Sequence, residues 1–361
     1  MMRARMDPIA HTLFGAAAAQ TGLGRRSACA TAALVVGANL PDIDGFAMFL
    51  GGDSALYWRR GWTHGILALV LLPLLLTACL IAWSRAFGRP PPRPRVLLGL
   101  SYLAVWSHPS LDWLNTYGLR WLMPFDGTWF YGDTLYVVDP WFWLLLAGAL
   151  FLFRSRHLWS LAAWALFAAF FAYLLFGVVQ LVPAKAIWCV AILGLIVLRV
   201  KRVGYDEPTA RRVAAGALFI LMTYIGVMHA ATRDTRHLIR QTLTERGEDV
   251  QRIMVGPVLV TPFMRDVVVE TPEGYMHGTA HLFPSFELDL APSKIPLLPD
   301  SNEVLSAIAS PGARGFMNWA RFPFAEVEET SSGCTVFLLD ARYTRRRGSG
   351  FGTARVHVAK E

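Results

Sequence analysis

His108 and Asp112 stand four residues apart in Trp106-Ser107-His108-Pro109-Ser110-Leu111-Asp112-Trp113, at the close of an apolar run that begins near Val96. On a helix that spacing puts both side chains on one face, a turn apart. An imidazole and a carboxylate so placed can hold one metal ion or bridge two. A buried His–Asp hydrogen bond uses the same spacing, and such polar pairs are common on helices. Other polar islands interrupt the apolar sequence: His11, the Leu40-Pro41-Asp42-Ile43-Asp44 turn, Arg59-Arg60-Gly61-Trp62-Thr63-His64, and Asp139 after a loop that also carries Asp126 and Asp133. Three His with carboxylates suit a divalent cation, Zn2+ first, with Mn2+ or Fe2+ open.

The elements that must position these residues are those of a membrane protein. The 361-residue chain is 54% hydrophobic and 17% charged, with a mean hydropathy of +0.40, too apolar for an ordinary soluble globule. Thirteen Trp and twenty-two Phe suit spans and interfacial belts. Runs at 8–23 and 27–40 are short against the roughly 20 residues a span needs. Runs near 65–84, 96–107, 140–153, 158–178, 182–199 and 213–231 follow. The loop at 115–139 is long and aromatic, which argues for packing and function over disorder. Past Thr232 a charged helical segment leads into alternating strands, among them 258–261, 267–270, 335–340 and 354–358. The expected fold is an α-helical multi-pass membrane domain of about eight helices, some short, over 1–232, followed by a small mainly-β (α+β) soluble domain over 233–361. Cys29, Cys79 and Cys189 lie in apolar runs and Cys334 far away, so no disulfide framework or Cys-based zinc motif is visible.

Loop charge gives the orientation. The loops at 25–26, 85–95, 154–156 and 199–212 carry thirteen Arg or Lys, whereas the alternate loops and the N-terminus hold Arg3, Arg5, Arg59, Arg60, Arg120 and Lys185. By the positive-inside rule the basic set is cytoplasmic. His11, Asp42, Asp44, His64, His108, Asp112 and Asp139 then share the extracytoplasmic level, as does the C-terminal domain. Ionisable groups at such depth are costly and tend to be functional. Helix capping by Asp42, Asp44 or Ser107 explains part of the set but none of the His. Arg59 and Arg60 read either as lipid-headgroup contacts or as a phosphate clamp near the metal. The net charge of +8 lies mostly in short loops and reads as orientation signal, so no direct nucleic-acid binding is expected.

Met6-Asp7-Pro8-Ile9-Ala10-His11-Thr12, Leu40-Pro41-Asp42-Ile43-Asp44, Arg60-Gly61-Trp62-Thr63-His64, Ser107-His108 to Asp112, and Val138-Asp139-Pro140 together resemble the YdjM-type family. Its members are described as inner-membrane metal-dependent hydrolases and as LexA-binding. Arg321-Phe322-Pro323-Phe324 and Leu339-Asp340-Ala341-Arg342-Tyr343 resemble the soluble tail of its longer members. The order of His and Asp is also distantly similar to that of zinc-dependent phospholipase C and the S1/P1 nucleases. That likeness implies that His64, His108 and Asp112 hold one metal, that His11 helps hold a second with Asp112 bridging, and that Asp42 or Asp44 activates water. No later His-x-x-x-Glu continues the pattern here, which leaves either Asp126, Asp133 or Asp139 as substitutes or a site of only one or two metals.

The expectation is a membrane-bound metal-dependent hydrolase in a bacterial inner membrane, acting on a phosphate ester or lipid-linked substrate at the extracytoplasmic face. The alternative is a non-catalytic regulator or scaffold, with a structural metal site and a C-terminal domain that recruits a protein partner. A transporter fits less well, because the polar residues gather at one face and no repeated broken helices are seen.

Overall fold

The computed structural model describes residues 8–179, 181–346 and 350–359. Arg3, Arg5 and the Met6-Asp7 opening of the first motif lie outside the described residues. The first helix, α1 (Pro8–Gln20), starts on proline, which is pre-set for a first turn. It packs on α2 (Ala30–Gly37) through small residues. A Cβ on Gly15 would stand 2.5 Å from the Leu34 carbonyl oxygen, so glycine there sets how closely the helices approach. A 3-10 segment, Leu40–Leu50, continues from α2 and leads to α3 (Gly52–Trp58), α4 (Ile66–Ala86) and α5 (Pro94–Trp113).

The buried stripe of α5 includes Leu97, Leu100, Ser101, Ala104, Val105, His108 and Asp112, the three-and-four spacing of one helix face. His108 and Asp112 thus extend a packed apolar seam. Ser107 donates to the Ala104 carbonyl within an unbroken α5, so it caps nothing. The remaining membrane elements are α6 (Pro140–Arg154), α7 (Leu158–Val178), α8 (Val182–Val200) and α9 (Glu207–Glu245). Among the described residues, five helices are long and apolar enough to cross a membrane, with Ala30–Leu50 counted as one; α6 is a shorter apolar helix. α5, which carries Ser101, His108 and Asp112, is not among those five.

The 39 residues of α9 extend about 58 Å at 1.5 Å per residue. The helix runs unbroken through Thr232, and its last turns bury Ile239 and Leu243 against the C-terminal region. There β1 (Arg252–Val258), β2 (Thr261–Thr271), β3 (Gly274–His281) and β4 (Glu287–Leu290) form an antiparallel sheet in chain order. Two short helices, α10 (Asn302–Ala309) and α11 (Arg314–Trp319), precede a second antiparallel sheet, β5 (Pro323–Thr330), β6 (Gly333–Asp340) and β7 (Thr353–Ala359). Strand alternation covers both faces of the first sheet. Ile253, Val255, Val267 and Val269 pack on α9, whereas Met254 and Val268 meet Phe322, Phe324 and Leu339.

The helical architecture followed by small antiparallel sheets matches the expected fold. One expected strand does not form as such: Val258 to Thr261 is the β1–β2 turn, with Val260 at φ 67°. Its apolar side chains pack on the membrane helices, and the Val260 carbonyl accepts from Trp141 Nε1. Burial at that tip, not strand pairing, accounts for the hydrophobic run.

The C-terminal region grips the loops beside α5. Asp53 accepts from the backbone of Gly315 and Phe316. Arg342 donates to Thr116, and Trp319 to the Tyr117 carbonyl. Burial pushes the nearby Tyr343 phenol up to about 12.

Candidate metal centre

Four segments converge beneath these contacts. α5 supplies His108 and Asp112, the turn before α4 supplies His64, α1 supplies His11, and the 3-10 segment supplies Asp42 and Asp44. With three residues per turn, Asp42 and Asp44 point about 120° apart and meet different partners. One donor atom from each of Asp42, His64, His108 and Asp112 lies within 4.8 Å of all the others. The four are close enough to hold a metal ion. Asp112 Oδ2 is 3.4 Å from His64 Nε2 and 3.6 Å from His108 Nε2, and His108 Nε2 is 3.6 Å from Asp42 Oδ1. Tetrahedral ligands bonded at about 2.0–2.1 Å stand about 3.3–3.4 Å apart, close to these spacings.

The surroundings fix which atoms face inward. His108 Nδ1 is 2.7 Å from the Ala38 carbonyl; a carbonyl only accepts, so the hydrogen sits on Nδ1 and the Nε2 lone pair is free. His64 Nδ1 lies 3.0 Å from Thr63 Oγ1 and 3.2 Å from Asp44 Oδ2. That carboxylate selects the same tautomer, the carboxylate–imidazole arrangement that supports metal ligands. Asp44 Oδ2 also accepts from the Arg60 backbone at 2.7 Å, and Asp44 Oδ1 is 3.3 Å from Arg59 Nη1. Arg59 spans both acids, with Nη2 3.5 Å from Asp42 Oδ1.

Arg60 is 1% exposed. Its guanidinium donates to Asp112 Oδ1 at 2.9 Å, to Asn115 Oδ1 and to the Asp112 and Gly118 carbonyls, and it lies over the Tyr117 ring. The sequence reading gave Arg60 to lipid or phosphate; the structure spends its donors on the protein, where it holds one oxygen of Asp112 and turns the other toward the two imidazoles. His11 Nε2 is 3.4 Å from Asp112 Oδ1, and its ring stacks on His108 at 3.8 Å. His11 thus flanks the four without joining them.

The further carboxylates lie elsewhere. Asp133 is fully buried and pairs with Arg321 and Arg236, tying the 115–139 loop to the C-terminal region. Asp139 caps α6 through Trp141 and Phe142 and accepts from the Tyr224 hydroxyl. Asp126 holds its own turn at Thr128. The Ala38 carbonyl and Asn115 went unforeseen: a backbone acceptor leaves no mark in sequence, and a lone Asn after a helix reads as a cap.

A cation fits on an observation independent of proximity. His64 Nε2, His108 Nε2 and Asp112 Oδ2 are buried and find no hydrogen-bond partner among the described residues. Buried polar atoms are rarely left so, and these three face one another. A lone pair on each and a negative charge on the carboxylate are what a divalent cation needs.

No curated protein and no solved structure matches the chain. A comparison with family models matches residues 6–184 to the family described as YdjM inner membrane protein. That stretch holds His11, Asp42, Asp44, His64, His108 and Asp112, so residues 6–184, the part with the candidate metal centre, are what the chain shares with the YdjM inner membrane protein family.

Proposed function

We propose that the protein is a membrane-bound metal-dependent hydrolase acting on a phosphate ester or lipid-linked substrate at the extracytoplasmic face. The observation that carries this reading is the convergence of unpartnered, buried His64, His108 and Asp112 on the partly exposed Asp42. A bound divalent cation supplies Lewis-acid polarisation of a phosphoryl or carbonyl oxygen and acidifies water. His64, His108 and Asp112 hold it, with His11 beside Asp112 available for a second. Asp44 orients His64, and Arg60 orients Asp112. Asp42, the member of the four that solvent reaches, takes the proton as water adds and the ester bond breaks. A cavity of about 40 Å³ lined by His11, Asp112, Asn115 and Asp139 adjoins the cluster, room for water.

One observation favours the scaffold reading instead: four protein donors suffice to close a tetrahedral sphere, as in structural zinc sites. Zn2+-loaded protein in proteoliposomes, assayed on para-nitrophenyl phosphate, bis-para-nitrophenyl phosphate and para-nitrophenyl butyrate, decides between them. Release above that of His108→Ala protein is expected. Bound metal with no turnover on any of the three replaces the enzyme by the scaffold.

The extracytoplasmic placement rests on loop charge and is tested by alkaline phosphatase fusions. A fusion after Ala359 is expected to be active and one at Arg89 inactive. The reverse pattern puts the cluster on the cytoplasmic side.

A further inference from the structure

Arg60 sits in the left-handed region, at φ 49°, a backbone state that a side-chain-bearing residue keeps only where its surroundings over-determine it. Its amide donates to Asp44 and its carbonyl accepts from the Arg120 amide. Its guanidinium is enclosed by residues 115–118. The Asn115 side chain accepts at 2.8 Å and the Gly118 carbonyl at 3.1 Å, and the Tyr117 ring centroid lies 4.7 Å from Cζ. Asn115 also accepts from the Tyr117 amide, so this short loop is folded around the cation.

The C-terminal region holds the same loop from outside. The Trp319 ring packs on Tyr117 with centroids 5.1 Å apart, and its Nε1 donates to the Tyr117 carbonyl. Arg342 donates to the Thr116 carbonyl at 2.8 Å, lies over the Trp319 ring, and is fixed in turn by buried Asp340. α11 also grips α3, the segment that leads into Arg59 and Arg60. Both oxygens of Asp53 accept from its first turn, at 2.9 and 3.0 Å. Glycine at 315 permits that approach, since a Cβ there would run into the Asp53 carbonyl. One short helix thus clasps both the approach to Arg60 and the loop around its guanidinium. The stack runs from Arg342 through Trp319 and Tyr117 to Arg60, and ends on Asp112 Oδ1 at 2.9 Å. The other oxygen of that carboxylate faces His64 and His108.

We propose that the C-terminal region sets the metal centre: α11, docked on Asp53 and Tyr117, keeps Arg60 on Asp112, so that docking and cation binding strengthen each other. Tyr117 is the positioning residue at the joint. The inference rests on the metal-centre reading and is independent of whether the centre hydrolyses an ester. Each residue from 115 to 118 meets Arg60, the C-terminal region or both, which distinguishes this contact from the packing of two indifferent surfaces. A guanidinium out of water gains from an aromatic face and from its charge-assisted bond to a carboxylate, and both depend on where the loop stands. By linkage the effect runs both ways: what docking does for cation affinity, the cation does for docking.

The test uses full-length protein in phosphatidylcholine nanodiscs. Zn2+ affinity is read by competition with a chromophoric chelator, and amide hydrogen exchange across α11 by mass spectrometry with and without Zn2+. Tyr117→Leu, which removes the ring face, is expected to weaken Zn2+ binding about 10–100-fold, the range for groups that support metal ligands. Tyr117→Phe keeps the ring and should bind as the parent does. Asp53→Asn offers one oxygen where two amides need acceptors, and should weaken binding about tenfold, the lower end of that range. Lys294→Ala breaks ion pairs with Glu248 and Glu273, outside this chain of contacts, and should leave it unchanged. In the parent, Zn2+ should slow exchange across α11; in Tyr117→Leu it should not. Parent-like affinity in Tyr117→Leu or Asp53→Asn overturns the proposal and leaves the metal centre standing. Equal loss in Tyr117→Phe and Tyr117→Leu, or exchange across α11 indifferent to bound Zn2+ in the parent, also overturns it. Should Tyr117→Leu fail to fold, Asp53→Asn and the parent's exchange decide. A parent that binds no Zn2+ removes the metal centre, and this inference with it.

Discussion

Protein carrying His108→Ala should gain almost no thermal stability from Zn2+, whereas the parent gains several degrees and loses them to a chelator. A cation that binds only the folded state stabilises it by RT ln(1 + [L]/Kd), about 2.7 kcal/mol at a hundred times Kd. His108 contributes an Nε2 that meets both Asp112 Oδ2 and Asp42 Oδ1 at 3.6 Å, so its loss opens the centre of the cluster. Changes one shell further out already weaken metal sites by about 10–100-fold, and removal of a ligand should cost at least the upper end. At a hundredfold weaker binding the same Zn2+ concentration gives only about 0.4 kcal/mol. Metal content by mass spectrometry should fall in parallel. His108→Ala also leaves a small cavity and frees the Ala38 carbonyl, which lowers stability with or without metal. The readout is therefore the Zn2+-dependent shift, not the melting temperature itself. A full shift in the variant would dissolve the metal centre, and no shift in the parent would do the same.

The sequence carried this cluster because its residues belong to types that hydrocarbon tolerates badly. Three His and several Asp at the ends of apolar runs, sorted to one level by loop charge, announce a shared place before any contact is known. The (i, i+4) pair on α5 added direction. What the sequence could not carry was the division of labour. Asp42, Asp44, Asp133 and Asp139 are chemically alike, and only their neighbours separate a ligand-distance carboxylate from the partner of His64, from a link to Arg321 and from the cap of α6. Arg60 was misread for the same reason: a guanidinium beside a metal motif suits phosphate as well as it suits Asp112, and its 1% exposure decides. The apolar tip at Val258 to Val260 looked like strand because hydrophobicity marks burial, not pairing. α9 was read as two pieces, an apolar run to 231 and a charged helical segment past Thr232, because its composition changes there while its helicity does not.

Asp42→Asn and Asp44→Asn should fail in different ways. Both keep shape and remove a charge. Asp44 meets the Arg60 backbone, Arg59 and His64 Nδ1 and is not one of the four donors within reach of a single cation. As a positioning residue it acts through His64, so Asp44→Asn should weaken Zn2+ binding by about 10–100-fold while turnover returns once Zn2+ is raised to saturation. Asp42 lies at ligand distance from His108 and is partly exposed. An amide oxygen there can still donate a lone pair, but it cannot accept a proton at working pH. Asp42→Asn should therefore bind Zn2+ at saturating concentration and still lose about 10²–10⁴-fold in turnover, the usual contribution of a general base. Titrating Zn2+ against both activity and metal content separates the two behaviours, because only the positioning defect is rescued by metal. Rescue of Asp42→Asn together with unrescued loss in Asp44→Asn would exchange the roles. Full turnover in both would remove the proton acceptor from this pair and leave the base to be sought at His11, whose Nδ1 is buried and unbonded among the described residues.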